Sequence, residues 1–199
     1  MSRARQAFDP SGGAPYNTGR PAARRGKDRV QVSESMPERE FFKRYGSGEA
    51  FLSRAPGRVN LIGEHTDYNG GFVLPAAVDR DIRIAFRPSE DRTVELHSLD
   101  FNETARFELS KLERGATPAW ARYPMGVAAV LQAEGFALRG LRGVVKGDVP
   151  LGAGLSSSAA FEAASALAFC RAGEIELPRE RLARICQRAE NEFVGANCG

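Results

Sequence analysis

Arg58, Glu64, His65 and Asp67 fall within ten residues of one another, in the run Arg54-Ala55-Pro56-Gly57-Arg58-Val59-Asn60-Leu61-Ile62-Gly63-Glu64-His65-Thr66-Asp67-Tyr68-Asn69-Gly70-Gly71. Two carboxylates, an imidazole and a guanidinium this close together can address several hydroxyls of a polar ligand at once. A hydrogen bond to a charged group contributes about 1.5–3 kcal/mol, so such a run can discriminate strongly. Pro56, Gly57, Gly63, Gly70 and Gly71 mark it as a loop, the kind of segment on which a rigid scaffold presents binding and catalytic groups. An ion-paired surface turn would have a similar composition, so the run needs a second signal beside it.

That signal is Gly147-Asp148-Val149-Pro150-Leu151-Gly152-Ala153-Gly154-Leu155-Ser156-Ser157-Ser158-Ala159-Ala160, which follows the apolar strand-like run Leu141 to Val145 and opens a small-residue helix from Ser156 to Cys170. Glycines let backbone N–H groups approach a phosphate, and a helix N-terminus adds unpaired donors and a favourable dipole. The three serines can cap the helix, bind phosphate oxygens or hold a metal. A plain Gly-Ser turn with a serine cap is the other reading. Two commoner nucleotide motifs fit less well. No Lys lies between Gly147 and Ser158, as the P-loop pattern requires. The dinucleotide fingerprint wants a third glycine where Ser157 stands, although Glu174 lies near the distance expected of its ribose-binding acid.

Together the two segments resemble the GHMP sugar-kinase family, which groups galactokinase with homoserine, mevalonate and phosphomevalonate kinases. The Arg58 to Gly71 run is similar to the signature of the galactokinase members. A third stretch, Ala189-Glu190-Asn191-Glu192-Phe193-Val194-Gly195-Ala196-Asn197-Cys198-Gly199, resembles the approach to their catalytic base, and the whole resemblance covers roughly residues 41–199. It implies an ATP-dependent phosphorylation of galactose to galactose 1-phosphate. Glu64, His65, Thr66 and Asp67 would bind the sugar. Gly152, Ala153, Gly154, Leu155, Ser156, Ser157 and Ser158 would bind ATP. Ser158 and Glu190 would hold Mg²⁺, and Arg58 would stabilise transition-state charge. In the family the Asn-x-Cys-Gly run continues to an aspartate base three residues past Gly199. The chain as given is therefore expected to be catalytically inactive or nearly so, since a general base is typically worth about 10²–10⁴ in rate. A kinase for another hexose or an amino sugar would share the loop. A non-catalytic sensor of galactose and ATP is a third reading, against which the intact serine run argues.

These segments need elements to position them. Pro37 to Tyr45 reads as a helix stopped by Gly46, and Ala50 to Ser53 begins a strand that delivers Arg54. Phe72 to Val78, Ile82 to Arg87, Thr93 to His97 and Ala105 to Leu109 read as strands, with Asp79, Arg80 and Asp81 as a turn. Serial strands favour antiparallel pairing. Tyr123 to Glu134 reads as a helix ended by Gly135. Pro178 to Phe193 is a helix with Leu182, Ile185, Cys186, Ala189 and Phe193 on one face. Glu190, four residues after Cys186, stands at the edge of that face, where a carboxylate is costly without a partner such as a cation. A solvated Glu190 beside Arg188 and Glu192 is the alternative, and Glu162, one turn into the serine helix, is a second candidate ligand. His97 reads as a buried, hydrogen-bonded strand residue. The fold class is α+β; the family's N-terminal domain is ribosomal protein S5 domain 2-like, here truncated before the C-terminal domain.

Composition bounds the rest. The chain has 199 residues and 42% hydrophobic content, enough for one sizeable core. No apolar run approaches the roughly 20 residues that span a membrane, and the N-terminus lacks the apolar core of a secretory signal. Cys170, Cys186 and Cys198 lack metal-ligand spacing and read as reduced thiols of a cytoplasmic protein, the first two as small core residues. Residues 1–35 hold seven Lys/Arg against three Asp/Glu, with scattered Pro and Gly and little periodicity. They read as a disordered basic tail ahead of an incomplete kinase domain over residues 36–199. The near absence of interleaved aromatics argues against nucleic acid. Met36 is an alternative start. Oligomeric state leaves no trace in the sequence.

Overall fold

The computed structural model describes residues 36–63, 66, 69–113, 115, 118–196 and 198. The basic tail, residues 1–35, lies outside them. Helix α1, Met36–Tyr45, forms where Pro37 and Glu38 favour the first turn and Lys43 and Arg44 the last. Gly46 ends it at φ +76°, donating its N–H to the Phe42 carbonyl at 2.9 Å. The strands are β1 (Phe51–Ile62), β2 (Leu74–Ser89), β3 (Thr93–Ser98), β4 (Glu103–Glu108) and β5 (Gly140–Gly147). Helix α2, Arg122–Ala133, follows a short 3₁₀ turn at Ala119–Ala121. Helices α3 (Ser157–Ala172) and α4 (Arg179–Arg188) complete the order, and α4 widens into a π turn over Ala189–Val194.

The five strands form one sheet in the order β1-β2-β5-β3-β4. Each pairing is antiparallel except β3 with β5, which runs parallel because α2 carries the chain back across the sheet. Uniform antiparallel pairing, expected from serial strands, thus fails at one junction. A second correction concerns Asp79, Arg80 and Asp81. They are not a turn: β2 runs unbroken through them for 16 residues. Asp81 is 2% exposed there, its carboxylate held by the Arg54 and Arg83 guanidiniums, so the charge that looked like a chain reversal is neutralised inside a strand. Nor is Arg58 on a loop. It sits in β1, just past a bulge between Pro56 and Arg58. The last helix is shorter than the sequence suggests, its final six residues forming the π turn.

Burial follows the pleat. Ile82, Ile84 and Phe86 of β2 face one way, into a core shared with Val127 and Leu131 of α2, Ala164 and Phe169 of α3, and Ile185 of α4. Ala85 and Val144 face the other way, under Phe41 of α1. The result is an α+β sheet with α1 on one face and the remaining helices on the other. Cys170 and Cys186 are buried, as expected of core residues, and no disulfide forms among the described residues. No helix among the described residues is long and apolar enough to cross a membrane.

Candidate active site

The chain between β5 and α3 is a loop with a repeating twist. Gly152 and Gly154 both take φ +71°, and Ser156 takes φ +54°. A left-handed residue at every second position turns successive N–H groups toward one side, a concave arrangement suited to an anion. Ser156 stands at the N-cap of α3 yet makes no side-chain cap bond, so the serines are not consumed in closing the helix. Ser157 and Ser158 instead line a cavity of about 190 Å³ together with Tyr123, Phe161, Trp120 and Phe101.

That cavity was not foreseen from the sequence. Phe101 and Trp120 stack with ring centroids 6.4 Å apart and planes 12° from parallel, and Phe161 bridges Trp120 to Tyr123 at 6.1 and 6.2 Å. The Trp120 indole N–H donates to Glu103 Oε2 at 3.1 Å, fixing its ring. Asp100, at the rim, accepts from the Gly147 N–H at 2.8 Å and pairs with Lys146. The volume and flat aromatic wall suit a heteroaromatic ring. A lone Trp and an isolated Phe carried no spacing signal, because the β3–β4 turn and the start of α2 bring them together.

The two sequence motifs, nearly a hundred residues apart, meet directly. The Arg58 N–H donates to the Leu155 carbonyl at 3.0 Å. Gly57 permits this approach, since a Cβ there would lie 2.8 Å from the same oxygen. A second clasp ties the start of the loop to β2: Asp81 N–H to Asp148 Oδ1 at 2.5 Å, and Asp148 N–H back to the Asp81 carbonyl at 3.0 Å. Arg58 is half-buried beside the loop, and its charge reaches Cys198.

Of the expected sugar-binding residues, Glu64, His65 and Asp67 lie outside the described residues. Thr66 is described. Its hydroxyl donates to the Gly63 carbonyl at 2.7 Å and lies 3.2 Å from the Phe72 carbonyl, while its own carbonyl accepts from the Gly71 N–H at 2.8 Å. It therefore draws together the neck of the hairpin between β1 and β2.

Glu190 sits in the π turn at 6% exposure, its carbonyl accepting from Gly195 at 2.8 Å and Ala196 at 3.1 Å. π turns recur at functional sites because they displace one residue from the helical register. Glu162 is fully buried, and both its oxygens lack a hydrogen-bond partner among the described residues. Burial and then the Glu190 charge push its carboxyl up to about 9. The Cys198 thiol is pushed up to about 12, by burial first and then by a hydrogen bond to Glu190. Arg58, the phosphate-loop candidate, Ser158, Glu190 and Cys198 thus gather at one end of the sheet.

A larger cavity of about 880 Å³ lies elsewhere, lined by Arg87, Glu90, Arg139 and Arg171. Residues Ser89 and Gly140 mark that end of the β2–β5 pair, while Ile82 and Gly147 mark the end near the motifs. Its arginines are engaged structurally: Arg87 with the Glu49 carbonyl at 2.7 Å, Arg139 with Glu90 at 2.8 Å, and Arg171 over the Phe51 ring at 4.3 Å.

Comparison with known proteins agrees with this geometry. Residues 39–88 match the profile described as the galactokinase galactose-binding signature, and residues 122–199 match that of the GHMP kinases N terminal domain. The chain is 47% identical over 159 residues to a galactokinase of Chloroflexus aggregans, covering 79% of this chain and 41% of the relative. It is 51% identical over 145 residues to a galactokinase of Thermococcus kodakarensis, covering 73% and 40%. Among solved structures, Lactococcus lactis galactokinase complexed with galactose superposes with a TM-score of 0.76 at 34% identity, covering 81% of this chain and 42% of that one. The chain thus spans about two fifths of the length of the relatives it matches. With the sugar-loop signature, the glycine-serine loop and the fold all pointing the same way, the chain belongs to the galactokinase branch of the GHMP kinase family.

Proposed function

We propose that this chain binds galactose and ATP and serves transfer of the γ-phosphoryl group to the anomeric hydroxyl, giving galactose 1-phosphate and ADP. The observation that carries the reading is the Arg58–Leu155 hydrogen bond at 3.0 Å, which sets the galactose-signature segment against the glycine-serine loop. Phosphoryl transfer depends on positioning and charge neutralisation more than on covalent chemistry, so two substrate loops locked side by side are what it requires.

In this reading Gly152 to Ser158 cradle the phosphates through backbone N–H groups and the N-terminus of α3. The base lies against the Phe101–Trp120 wall. Glu64, His65 and Asp67 hold sugar hydroxyls, and Thr66 keeps the loop's neck closed. The Arg58 guanidinium stabilises charge on the transferring group. The hydroxyl oxygen forms a bond to the γ-phosphorus, the β–γ bridging bond breaks toward ADP, and the hydroxyl proton leaves to a base. By family resemblance that base is an aspartate following the Asn197-Cys198-Gly199 run.

The residues present fit a divalent cation. A serine hydroxyl at the head of α3 and a buried carboxylate, with a second buried carboxylate that lacks a hydrogen-bond partner among the described residues, form an oxygen set of the kind Mg²⁺ takes alongside phosphates and water. Ser158 and Glu190 would hold it. When bound, the ion neutralises phosphate charge. A cytoplasmic location accords with cysteines that form no disulfide among the described residues.

Calorimetric titration of the purified chain tests the reading. Galactose and a non-hydrolysable ATP analogue should each bind, with glucose and N-acetylgalactosamine competing poorly against galactose. Absence of galactose binding, or preference for another hexose, would overturn it.

A further inference from the structure

We infer that Glu162 is a ligand of the divalent cation, sharing it with Glu190. The inference rests on the function proposed above and begins from an anomaly in the core. Glu162 is 0% exposed, and neither carboxylate oxygen finds a hydrogen-bond partner among the described residues. Its electrostatic neighbour is Glu190, a second carboxylate exposed only 6%. Among the described residues no Lys or Arg forms an ion pair with either. Two desolvated carboxylates without a cation make an expensive arrangement, and a Leu or Met would fill the same volume at less cost. Buried unsatisfied groups in a native fold call for an explanation such as an ion.

Position supplies that explanation. Glu162 lies four residues after Ser158, so the two occupy one face of α3, a helical turn apart. Ser165, a turn further on, is also buried, its hydroxyl without a hydrogen-bond partner among the described residues, which extends a polar strip inward from the phosphate end of the helix. Tyr123 lines the same cavity as Ser158, and the charges of both Glu162 and Glu190 act on its phenol. Ser158 thus stands on the cavity wall with Glu162 one helical turn behind it, and the π turn that holds Glu190 packs against the same helix. Two carboxylates and a hydroxyl would then meet the ion from the protein side, leaving its other positions to phosphate oxygens and water.

The test is Mn²⁺ binding to the purified chain, followed by electron paramagnetic resonance with Mn²⁺ alone and again with a non-hydrolysable ATP analogue. Glu162→Gln should weaken Mn²⁺ affinity about tenfold or more in both conditions. It should also abolish the Mn²⁺-induced rise in melting temperature, while leaving the metal-free melting temperature unchanged or higher. Glu162→Asp, which keeps a carboxylate, should restore part of the affinity. Wild-type Mn²⁺ affinity in Glu162→Gln, or no Mn²⁺ binding by the wild-type chain, overturns the inference. Galactose titration of the same samples separates the two claims. Galactose binding with an unaltered metal affinity in Glu162→Gln sinks only the role of Glu162. Failure of galactose to bind sinks the functional reading, and the Mn²⁺ titration still decides whether the carboxylate pair holds a cation.

Discussion

Phe101 leaves half of its side chain in solvent and stacks the rest on Trp120. An aromatic ring so exposed contributes little to folding, yet it completes one wall of the cavity beside Ser157 and Ser158. Stacking between a base and an aromatic side chain is worth about 1–3 kcal/mol. Phe101→Ala should therefore weaken binding of a non-hydrolysable ATP analogue by roughly five- to a hundredfold while shifting the urea midpoint little. Galactose affinity should stay unchanged, and a variant that binds the analogue like wild type would remove the base from this cavity. Trp120 is a poorer probe, because it is 9% exposed and truncation would open a cavity in the core.

At the scale of elements, the site depends on how the β5–α3 loop is fastened to the sheet. Two contacts hold it: the paired hydrogen bonds between Asp81 and Asp148, and the Arg58–Leu155 bond across Gly57. Asp148→Ala removes the acceptor of the Asp81 N–H inside the sheet, and an orphaned donor costs about 1–3 kcal/mol. Urea unfolding should show a loss of that size, and nucleotide affinity should fall with it because the start of the loop is released. Galactose affinity should hold, since the sugar segment is fastened separately through Thr66. Gly57→Ala should instead weaken both ligands, because its Cβ pushes the two segments apart. Local sequence could not disclose the clasp. Asp79-Arg80-Asp81 looks like a turn when read alone, and only Arg54, 27 residues away, and Arg83 make a buried Asp81 tolerable in mid-strand.

Across the whole molecule, what could be read in advance was whatever rests on neighbours in sequence. The helix at Met36–Tyr45, the strands at Thr93–Ser98 and Glu103–Glu108, and the helix opening after Ser156 all carry their own periodicity and end signals. The parallel β3–β5 pairing and the Phe101–Trp120 wall depend on a crossover, and no local pattern encodes them. His97 joins the two kinds of information. Its burial was expected from its place on a strand. Its setting comes from tertiary contacts: it is 6% exposed, its Nδ1 lies 2.9 Å from Thr104 Oγ1, and Arg44 and Glu40 of α1 act on it. Burial, reinforced by Arg44 and opposed by Glu40, holds the imidazole below its ordinary value of 6.5. The folded state thus favours neutral His97. That contribution to stability is complete above pH 6.5 and is lost as pH falls through the lowered folded value. Glu162 slopes the opposite way, since its raised carboxyl costs metal-free stability as pH rises from about 4.5 toward 9. Both proteins in a comparison of wild type with His97→Asn share that term, so it cancels in the difference. The difference in urea midpoint should shrink between pH 7.5 and pH 5.5, as wild type loses stability that the variant lacks. A difference constant across this range would mean that the imidazole is as readily charged inside the fold as in the unfolded chain.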